Sequence, residues 1–164
     1  MIHSSTEIKF ISEEVGYGVV ATEFIPAGTI TWALDNFDRE FSPADFESMD
    51  SIHKGILETY SFRNNLGNFV LCWDNGRFVN HSFNSNCIST AYDFEIAVRD
   101  IQKGEQLTDD YGYLNIQEPF RGINEGTKRK TVYPDDLKKY YKKKERYNCK
   151  RNNCKRNNCK RKKR

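Results

Sequence analysis

One stretch near the middle of this 164-residue chain decides the fold, and it reads Arg77-Phe78-Val79-Asn80-His81-Ser82-Phe83-Asn84-Ser85-Asn86-Cys87. Its centre, Asn80-His81-Ser82, taken alone is a glycosylation sequon, which has meaning only in a secreted protein. No zinc-ligand spacing surrounds the three histidines of the chain, and no nucleophile elbow accompanies them. The stretch therefore indicates a function only together with motifs elsewhere in the chain.

Two further motifs flank this stretch in chain order. Before it stands Gly16-Tyr17-Gly18, and after it stands Gly104-Glu105-Gln106-Leu107-Thr108-Asp109-Asp110-Tyr111-Gly112. The first motif lacks the third glycine of the dinucleotide fingerprint, so by itself it predicts an ordinary turn. The functional alternative is a loop whose backbone a ligand approaches closely. The second motif by itself predicts a turn and a strand end with a half-buried tyrosine.

The three motifs in this order resemble the SET domain of protein-lysine methyltransferases. The resemblance covers about residues 7 to 115 and includes the segment Val98-Arg99-Asp100-Ile101-Gln102-Lys103-Gly104. It implies a mainly β, β-clip-like fold of small curled sheets with few helices, in which a C-terminal segment threads under a loop as a pseudoknot. It also implies that S-adenosylmethionine binds on one face and that a substrate lysine enters from the other through a narrow channel.

The resemblance assigns the cofactor pocket to six residues, one of which, Tyr111, also belongs to the substrate channel. Gly16, Tyr17 and Gly18 line the pocket, and Asn80 and His81 hold the cofactor by side-chain and backbone hydrogen bonds. On this assignment the protein is an enzyme that transfers a methyl group from S-adenosyl-L-methionine to a lysine side chain of a protein substrate.

The resemblance assigns the substrate channel to three aromatic residues. Tyr111 is the catalytic residue, with its hydroxyl near both the cofactor methyl group and the lysine amine, and Tyr113 and Phe78 line the channel. The alternative function is an inactive SET-like module that binds peptide or nucleic acid. Such a module would be free to lose Asn80, His81 and Tyr111, and because the chain has all three we favour the enzyme.

A structural zinc site found in many members of the family is not expected here. Those members have cysteine where this chain has Phe83, followed by a Cys-x-Cys-x4-Cys segment, whereas residues 118–128 contain no cysteine. A metal site formed by Cys87 and the tail cysteines is the weaker alternative, because the tail spacing does not match that segment. Other members without zinc close the channel with a C-terminal helix. Residues 134 to about 147 are the candidate for it, with three candidate packing residues: Tyr133, Tyr140 and Tyr141.

Charge divides the chain into an acidic body and a basic tail. Residues 1–137 carry 11 basic and 22 acidic side chains, and residues 138–164 carry 15 basic side chains and one acid, Glu145. An acidic body attracts a lysine-bearing substrate such as a histone or another basic protein. We interpret the tail as a solvated end, with non-specific nucleic-acid contact and a nuclear localisation signal over residues 160–164 as alternatives.

We predict three segments: a SET catalytic domain over residues 1–132, a helix that packs on it over residues 133–147, and a disordered basic tail over residues 148–164. Five cysteines, three of them in the tail, do not form a disulfide framework, so we expect an intracellular protein, cytoplasmic or nuclear. The longest apolar run, Phe69–Trp73, is far too short to span a bilayer, so no membrane partner is expected.

Local patterns predict individual elements. One internal helix is expected from an N-cap at Ser42 to about residue 58. Asp74-Asn75-Gly76 predicts a hairpin turn, and a second hairpin is expected over residues 88–98. A turn is expected over residues 26–28, because proline and glycine favour its two central conformations.

Overall fold

The computed structural model describes residues 1–64, 66–90, 92–113, 120–121 and 131–132, with the main chain alone at residues 113, 120, 121, 131 and 132. Strands dominate the described part of the chain, which also contains two α-helices and two short 3₁₀-helices. The helix predicted over residues 133–147 and the tail over residues 148–164 lie outside it. Most of the chain after Tyr113 lies outside it as well, so the threaded pseudoknot stays a prediction.

Within the described residues the strands form five small sheets. The first four strands are β1 (Thr6–Ser12), β2 (Gly16–Ala21), β3 (Ile30–Ala33) and β4 (Arg39–Phe41). The next four are β5 (Ser61–Arg63), β6 (Phe69–Leu71), β7 (Asn80–His81) and β8 (Cys87–Ser89). The last four are β9 (Phe94–Ala97), β10 (Thr108–Asp109), β11 (Phe120–Arg121) and β12 (Thr131–Val132). Antiparallel pairing gives the sheets β1-β2, β3-β9-β8, β4-β6-β5 and β11-β12, while β7 and β10 pair in parallel.

Two apolar clusters hold these sheets together. The larger one lies between β2 and the segments on either side of β9, and its buried members are Val19, Ala21, Ile25, Val79, Cys87, Ala97, Ile101 and Leu107. The smaller one joins the helices to β6 through Phe46, Leu57 and Phe69. Val79 belongs to the larger cluster and directly precedes β7, so the core fixes the position of the strand that carries Asn80 and His81.

The single helix predicted from Ser42 is two helices, α1 (Pro43–Ser48) and α2 (Ser51–Tyr60). Ser42 caps α1 as predicted, in a capping box with Asp45. The prediction of one continuous helix is wrong because Met49 is extended and Asp50 caps a new helix, its carboxylate accepting hydrogen bonds from the backbone N–H groups of Ile52 and His53, each at 2.9 Å.

The hairpin predicted at Asp74-Asn75-Gly76 is also wrong. The chain there forms a 3₁₀-helix over Asn75–Phe78, and Asp74 caps it by accepting a hydrogen bond from the Gly76 N–H at 2.9 Å. A short side-chain acceptor before glycine can cap a helical turn as readily as it can start a hairpin. The second predicted hairpin is confirmed, since β8 pairs with β9. The turn over residues 26–28 is confirmed by Gly28, whose φ is 84°.

Gly16-Tyr17-Gly18 lies at the start of β2 and is neither the predicted turn nor a loop. Tyr17 pairs with Phe10 and Gly18 pairs with Lys9 across the β1-β2 ribbon. Only Gly16, with a φ of 78°, has the left-handed conformation that a loop prediction from glycine assumes. In the described residues, no helix is both long and apolar enough to cross a membrane.

Candidate functional site

The parallel pairing of β7 with β10 brings two of the three sequence motifs side by side. Asn80 lies opposite Thr108 and His81 lies opposite Asp109 in the register of the two strands. The Ser82 N–H extends the pairing by donating to the Asp109 carbonyl at 3.0 Å. Because Tyr111 follows β10 by only two residues, the pairing also places it beside His81.

Asn80 connects this pair of strands to the third motif. Its side-chain Nδ2 donates a hydrogen bond to the Tyr17 carbonyl at 2.9 Å. A Cβ atom on Gly18 would lie 2.8 Å from that same Nδ2 and 2.8 Å from Cγ1 of Ile11. Glycine is therefore required at position 18 by the close approach of the Asn80 amide, and all three motifs meet at one place.

His81 positions the main chain of Tyr111. Its Nδ1 accepts a hydrogen bond from the Tyr111 N–H at 3.2 Å, and Oδ1 of Asp110 lies 3.8 Å from the same nitrogen. The side chains of His81 and Asp110 are both buried. Asp110 Oδ1 also accepts from the Gly112 N–H at 3.0 Å. These contacts fix the short 3₁₀-helix over Tyr111–Tyr113.

The Tyr111 hydroxyl donates a hydrogen bond to the Val79 carbonyl at 2.5 Å. Burial raises the pKa of this phenol, and the nearby carboxyl groups of Asp109 and Glu95 raise it further. The phenol therefore stays neutral at physiological pH and is not a tyrosinate base. Because the hydroxyl hydrogen points at this carbonyl, the lone pairs of the phenol oxygen point in other directions.

Two aromatic rings, those of Tyr111 and Phe83, pack against the His81 ring. The His81 ring centroid lies 5.4 Å from that of Tyr111 and 4.4 Å from that of Phe83, which contacts His81 edge-on. Phe83 thus packs against the imidazole of His81.

Besides Asp110, two further buried carboxyl groups, those of Asp109 and Glu95, lie near Tyr111, and the sequence did not single them out as a pair. Asp109 accepts a hydrogen bond from the Ser89 hydroxyl at 2.6 Å and one from the Asp110 N–H at 2.7 Å. Glu95, on β9, accepts from the Thr31 hydroxyl at 2.7 Å. Burial raises the pKa of Asp109 to about 6 and that of Glu95 to about 8, the latter with help from the Asp109 charge.

These pKa values predict that the protein loses stability as pH rises. Because the pKa of Glu95 is higher in the folded state than in the unfolded chain, the stability it contributes is complete below its ordinary pKa and is lost as pH rises through about 8. The expected loss between about pH 5 and pH 8 is on the order of 3 kcal/mol. Glu95→Gln keeps an acceptor for Thr31 and should flatten this dependence, measured by urea unfolding at several pH values.

The exposed Glu7 offers a matched control, because Glu7→Gln makes the same chemical change at a solvated carboxylate. That variant should retain the slope of the wild-type protein. Equal slopes for wild type and Glu95→Gln would show that Glu95 does not hold a proton at neutral pH.

The structure brings together most of the predicted site residues, and it leaves the channel role of the other two, Phe78 and Tyr113, untested. Phe78 packs against the larger core cluster, and its ring lies 5.6 Å from that of Tyr60. Tyr113 follows Tyr111 in the same 3₁₀-helix, but its side chain is not among those described. Their assignment to the substrate channel stays a prediction.

Other polar contacts in the site come from residues to which the sequence analysis gave no role. Buried Asn86 accepts from the Thr108 N–H at 2.9 Å and donates to the Gln106 carbonyl at 2.8 Å, so it fixes the approach to β10. Asn86 lies in the central motif over residues 77–87. A polar residue directly before Cys87 was the sequence signal from which a role for Asn86 could have been predicted. The Val79 carbonyl has no such signal, because every residue carries one.

Among the described residues, no group of three or more His, Cys, Asp or Glu side chains is placed to hold a metal ion. Cys72 and Cys87 are both buried free thiols. The three remaining cysteines lie in the tail, outside the described ranges. The expectation that the protein needs no zinc therefore stays a prediction.

The described residues form a strand-rich domain in which the strand Asn80–His81 pairs with Thr108–Asp109, the strand that directly precedes the segment carrying Tyr111. A family model of the SET domain matches residues 16–112, which include all three motifs. The chain belongs to the SET domain family. No curated protein matches the sequence.

Solved structures support the same fold. A humanized mutant of Polycomb Repressive Complex 2 from Chaetomium thermophilum, bound to an inhibitor, is 21% identical with a TM-score of 0.51 over 65% of this chain. The matched region is only 15% of that chain. A Plasmodium falciparum protein, provisionally described as a histone methyltransferase, is 20% identical with a TM-score of 0.51 over 68% of this chain and 96% of its own. At these identities the likeness shows the fold, and the predicted SET fold class is confirmed.

Proposed function

We propose that this protein is a protein-lysine N-methyltransferase that uses S-adenosylmethionine. The observation that carries the proposal is the meeting of the three motifs, in which Asn80 contacts the Tyr17 carbonyl and His81 contacts the Tyr111 backbone. The Plasmodium falciparum protein with this fold is described as a histone methyltransferase, and this description supports a protein substrate.

The residues around Gly16 fit a bound cofactor. A Cβ atom at Gly16 would meet nothing within 4 Å, so the main chain there is open to a ligand. The Tyr17 side chain next to it is 56% exposed, and the Asn80 amide donates a hydrogen bond to the Tyr17 carbonyl. When bound, S-adenosylmethionine supplies an electrophilic methyl group on a sulfonium centre. Gly16, Tyr17, Gly18, Asn80 and His81 are the residues proposed to hold it.

The reaction requires a neutral lysine amine aligned with the methyl group. At pH 7 a lysine with a pKa of ~10.4 is neutral in only about one molecule in 2,500, which corresponds to roughly 4.6 kcal/mol. Rings such as those of Tyr111, His81 and Phe83 lower the pKa of an amine that enters beside them, because they remove its water.

Tyr111 is proposed to orient that amine. Its phenol stays protonated and donates a hydrogen bond to the Val79 carbonyl. The phenol oxygen therefore acts as an acceptor toward a substrate. An amine N–H pointed at this oxygen has its lone pair directed elsewhere, as an in-line displacement requires. The oxygen also accepts weak hydrogen bonds from a polarised methyl group. No general-base carboxylate is needed for this role.

A methyl-transfer assay tests the proposal. The full-length protein is incubated with methyl-labelled S-adenosylmethionine and, separately, core histones, a bacterial protein extract and no added protein. We expect label on lysine side chains, located by mass spectrometry. Cofactor binding by calorimetry without transfer to any lysine would favour the inactive binding module. Absence of cofactor binding would overturn the assignment of the pocket.

The basic tail and the intracellular location belong to the same proposal. The tail, with nine basic side chains over residues 148–164, is proposed as a solvated extension, and non-specific contact with nucleic acid is the alternative. The acidic body, with a net charge of −11 over residues 1–137, is proposed to attract a lysine-rich substrate.

A further inference from the structure

Strand β1 forms one edge of its sheet. Among the described residues β1 pairs with β2 alone, and the far side of β2 is occupied by residues 104–107. β1 is seven residues long, and Phe10 within it is 54% exposed. A long edge strand of this kind attracts another strand, because its outward N–H and C=O groups can bond to a second backbone.

The hydrogen bonds of β2 show which groups of β1 point outward. Val19 and Ala21 bond to residues 104–107 at distances of 2.8 to 2.9 Å, so their main-chain groups point away from β1. Successive residues of a strand direct these groups to opposite sides. Gly18 and Val20 therefore direct their main-chain groups at β1.

The pairing register carries this alternation over to β1. Glu7 and Lys9 lie opposite Val20 and Gly18, so the main-chain groups of these two residues bond to β2. The residues that alternate with them direct their N–H and C=O groups outward, and they are Thr6, Ile8 and Phe10. In the parts of the chain that the structure describes, those outward groups have no main-chain partner.

We propose that two copies of this chain associate through β1, antiparallel and edge to edge, with the two-fold axis at Ile8. Ile8 of each copy then exchanges a pair of hydrogen bonds with the second copy's Ile8, and Thr6 does the same with Phe10 at either end. About six main-chain hydrogen bonds form in this arrangement. The bulge of β1 lies after Phe10, outside the paired stretch. An interface made of the same surface on both partners closes after two copies.

Charge complementarity selects this register. With the axis at Ile8, Glu7 lies directly opposite the second copy's Lys9 on both sides of the axis, and both side chains are about half exposed. An axis at Glu7 would place two glutamates opposite each other, and an axis at Lys9 would place two lysines there. Like charges in this position destabilise a sheet. An axis at Thr6 or Phe10 gives no pair of Glu7 with Lys9.

This self-complementarity favours a second copy over an unrelated strand. A lysine on an edge strand normally discourages pairing. In β1 the carboxylate of Glu7 lies 2.8 Å from the Lys9 ammonium on the same face, so the edge presents both charges to a partner. The partner that matches this alternation residue for residue is the same strand running the other way.

The same pairing covers an exposed aromatic side chain. The Phe10 ring contacts the Tyr17 ring edge-on at 5.8 Å, and both side chains are more than half exposed. Residues opposite each other in antiparallel strands lie on the same face of the sheet. The second copy's Thr6 therefore packs against Phe10. The inference does not depend on methyl transfer.

Sedimentation velocity at rising protein concentration and low ionic strength tests the proposal. A single pair of edge strands is a small interface, so we expect a reversible equilibrium of monomer and dimer. Glu7→Lys and Lys9→Glu each place like charges opposite each other on both sides of the axis. Each variant alone should weaken the dimer at least tenfold.

A mixture of the two variants provides the decisive measurement. In a heterodimer of Glu7→Lys with Lys9→Glu, every charged pair across the interface is again of opposite sign. The mixture should therefore dimerise about as tightly as the wild-type protein. Glu58→Lys is the matched control, because Glu58 is exposed on α2 and lies outside β1, and it should leave the dimer unchanged.

Amide exchange followed by NMR on the wild-type chain locates the contact. The N–H groups of Thr6, Ile8 and Phe10 should gain protection as the protein concentration rises. Those of Glu7 and Lys9 bond to β2 and should be protected at every concentration. This alternation along β1 is specific to pairing at its outer edge.

Three results would overturn the proposal. The first is a monomer at all concentrations, and the second is a dimer that both charge variants leave intact. The third is protection of the Ile8 N–H in the dilute monomer, which would mean that another part of the same chain covers the edge. None of these measurements involves methyl transfer, so a protein without that activity would still give a clear answer.

Discussion

Tyr111→Phe is expected to lower the methyl-transfer turnover number roughly 100-fold or more, because loss of one oriented polar group in an active site has effects of that size. The variant keeps the ring that packs at 5.4 Å from His81 and removes only the oxygen. Affinity for S-adenosylmethionine should largely survive, since Asn80 and the Gly16–Gly18 main chain are untouched. Single-turnover kinetics and calorimetry on the same preparation separate the two quantities.

Stability must be measured alongside, because the variant leaves the Val79 carbonyl without the Tyr111 donor. Loss of one partner of a buried hydrogen bond costs about 1–3 kcal/mol. Tyr92→Phe is the matched control, since Tyr92 is 79% exposed and its ring stacks on Phe94 away from the site. Full turnover in Tyr111→Phe would exclude the role proposed for the hydroxyl, whatever its effect on unfolding.

Gly18→Ala is the second change with a large expected effect. The new Cβ would lie 2.8 Å from both Asn80 Nδ2 and Ile11 Cγ1 and 3.2 Å from Gln106 Cδ. Real Cβ atoms do not approach other atoms so closely, so the Asn80 and Ile11 side chains must shift, and we expect the Asn80 hydrogen bond to the Tyr17 carbonyl to weaken. Overpacking of this kind costs about 1–3 kcal/mol of unfolding free energy. Cofactor affinity should fall roughly tenfold or more, since the loss of a polar partner alone is worth that much.

Gly55→Ala provides the comparison for Gly18→Ala. Gly55 lies in α2, and an added Cβ there meets nothing within 4 Å. The same methyl group should leave cofactor affinity unchanged. If Gly18→Ala bound S-adenosylmethionine with wild-type affinity in calorimetry, the close approach of Asn80 would be irrelevant to the pocket.

The sequence predicted the elements whose signals are local and unambiguous. The hairpin of β8 and β9 and the turn at Gly28 follow from turn residues between apolar runs. The break between α1 and α2 was missed because helical spacing continues through Met49. The competing signal, an Asp50 side chain that caps a new helix, looks like any surface acid in a helical pattern.

The site was predicted through its motifs more than through its chemistry. Asn80, His81 and Tyr111 were expected together on the strength of the family resemblance, and the structure brings them together. The Val79 acceptor could not be found, because a main-chain carbonyl has no sequence signature. Glu95 could not be found either, since a single acid in the strand Phe94–Ala97 gives no sign of which face is buried.

The hydrogen bonds that hold β2 in place have a consequence for the order of folding. Val19 and Ala21 exchange backbone hydrogen bonds with residues 104–107, at distances of 2.8 to 2.9 Å. More than 80 residues of chain separate these partners. Contacts of such high sequence separation form late, because the closure of a long loop must precede them. During synthesis, the contacts of β2 with residues 104–107 therefore form only after residue 107 has left the ribosome. A ligand that binds at Gly16–Gly18 stabilises a contact between the two ends of the domain.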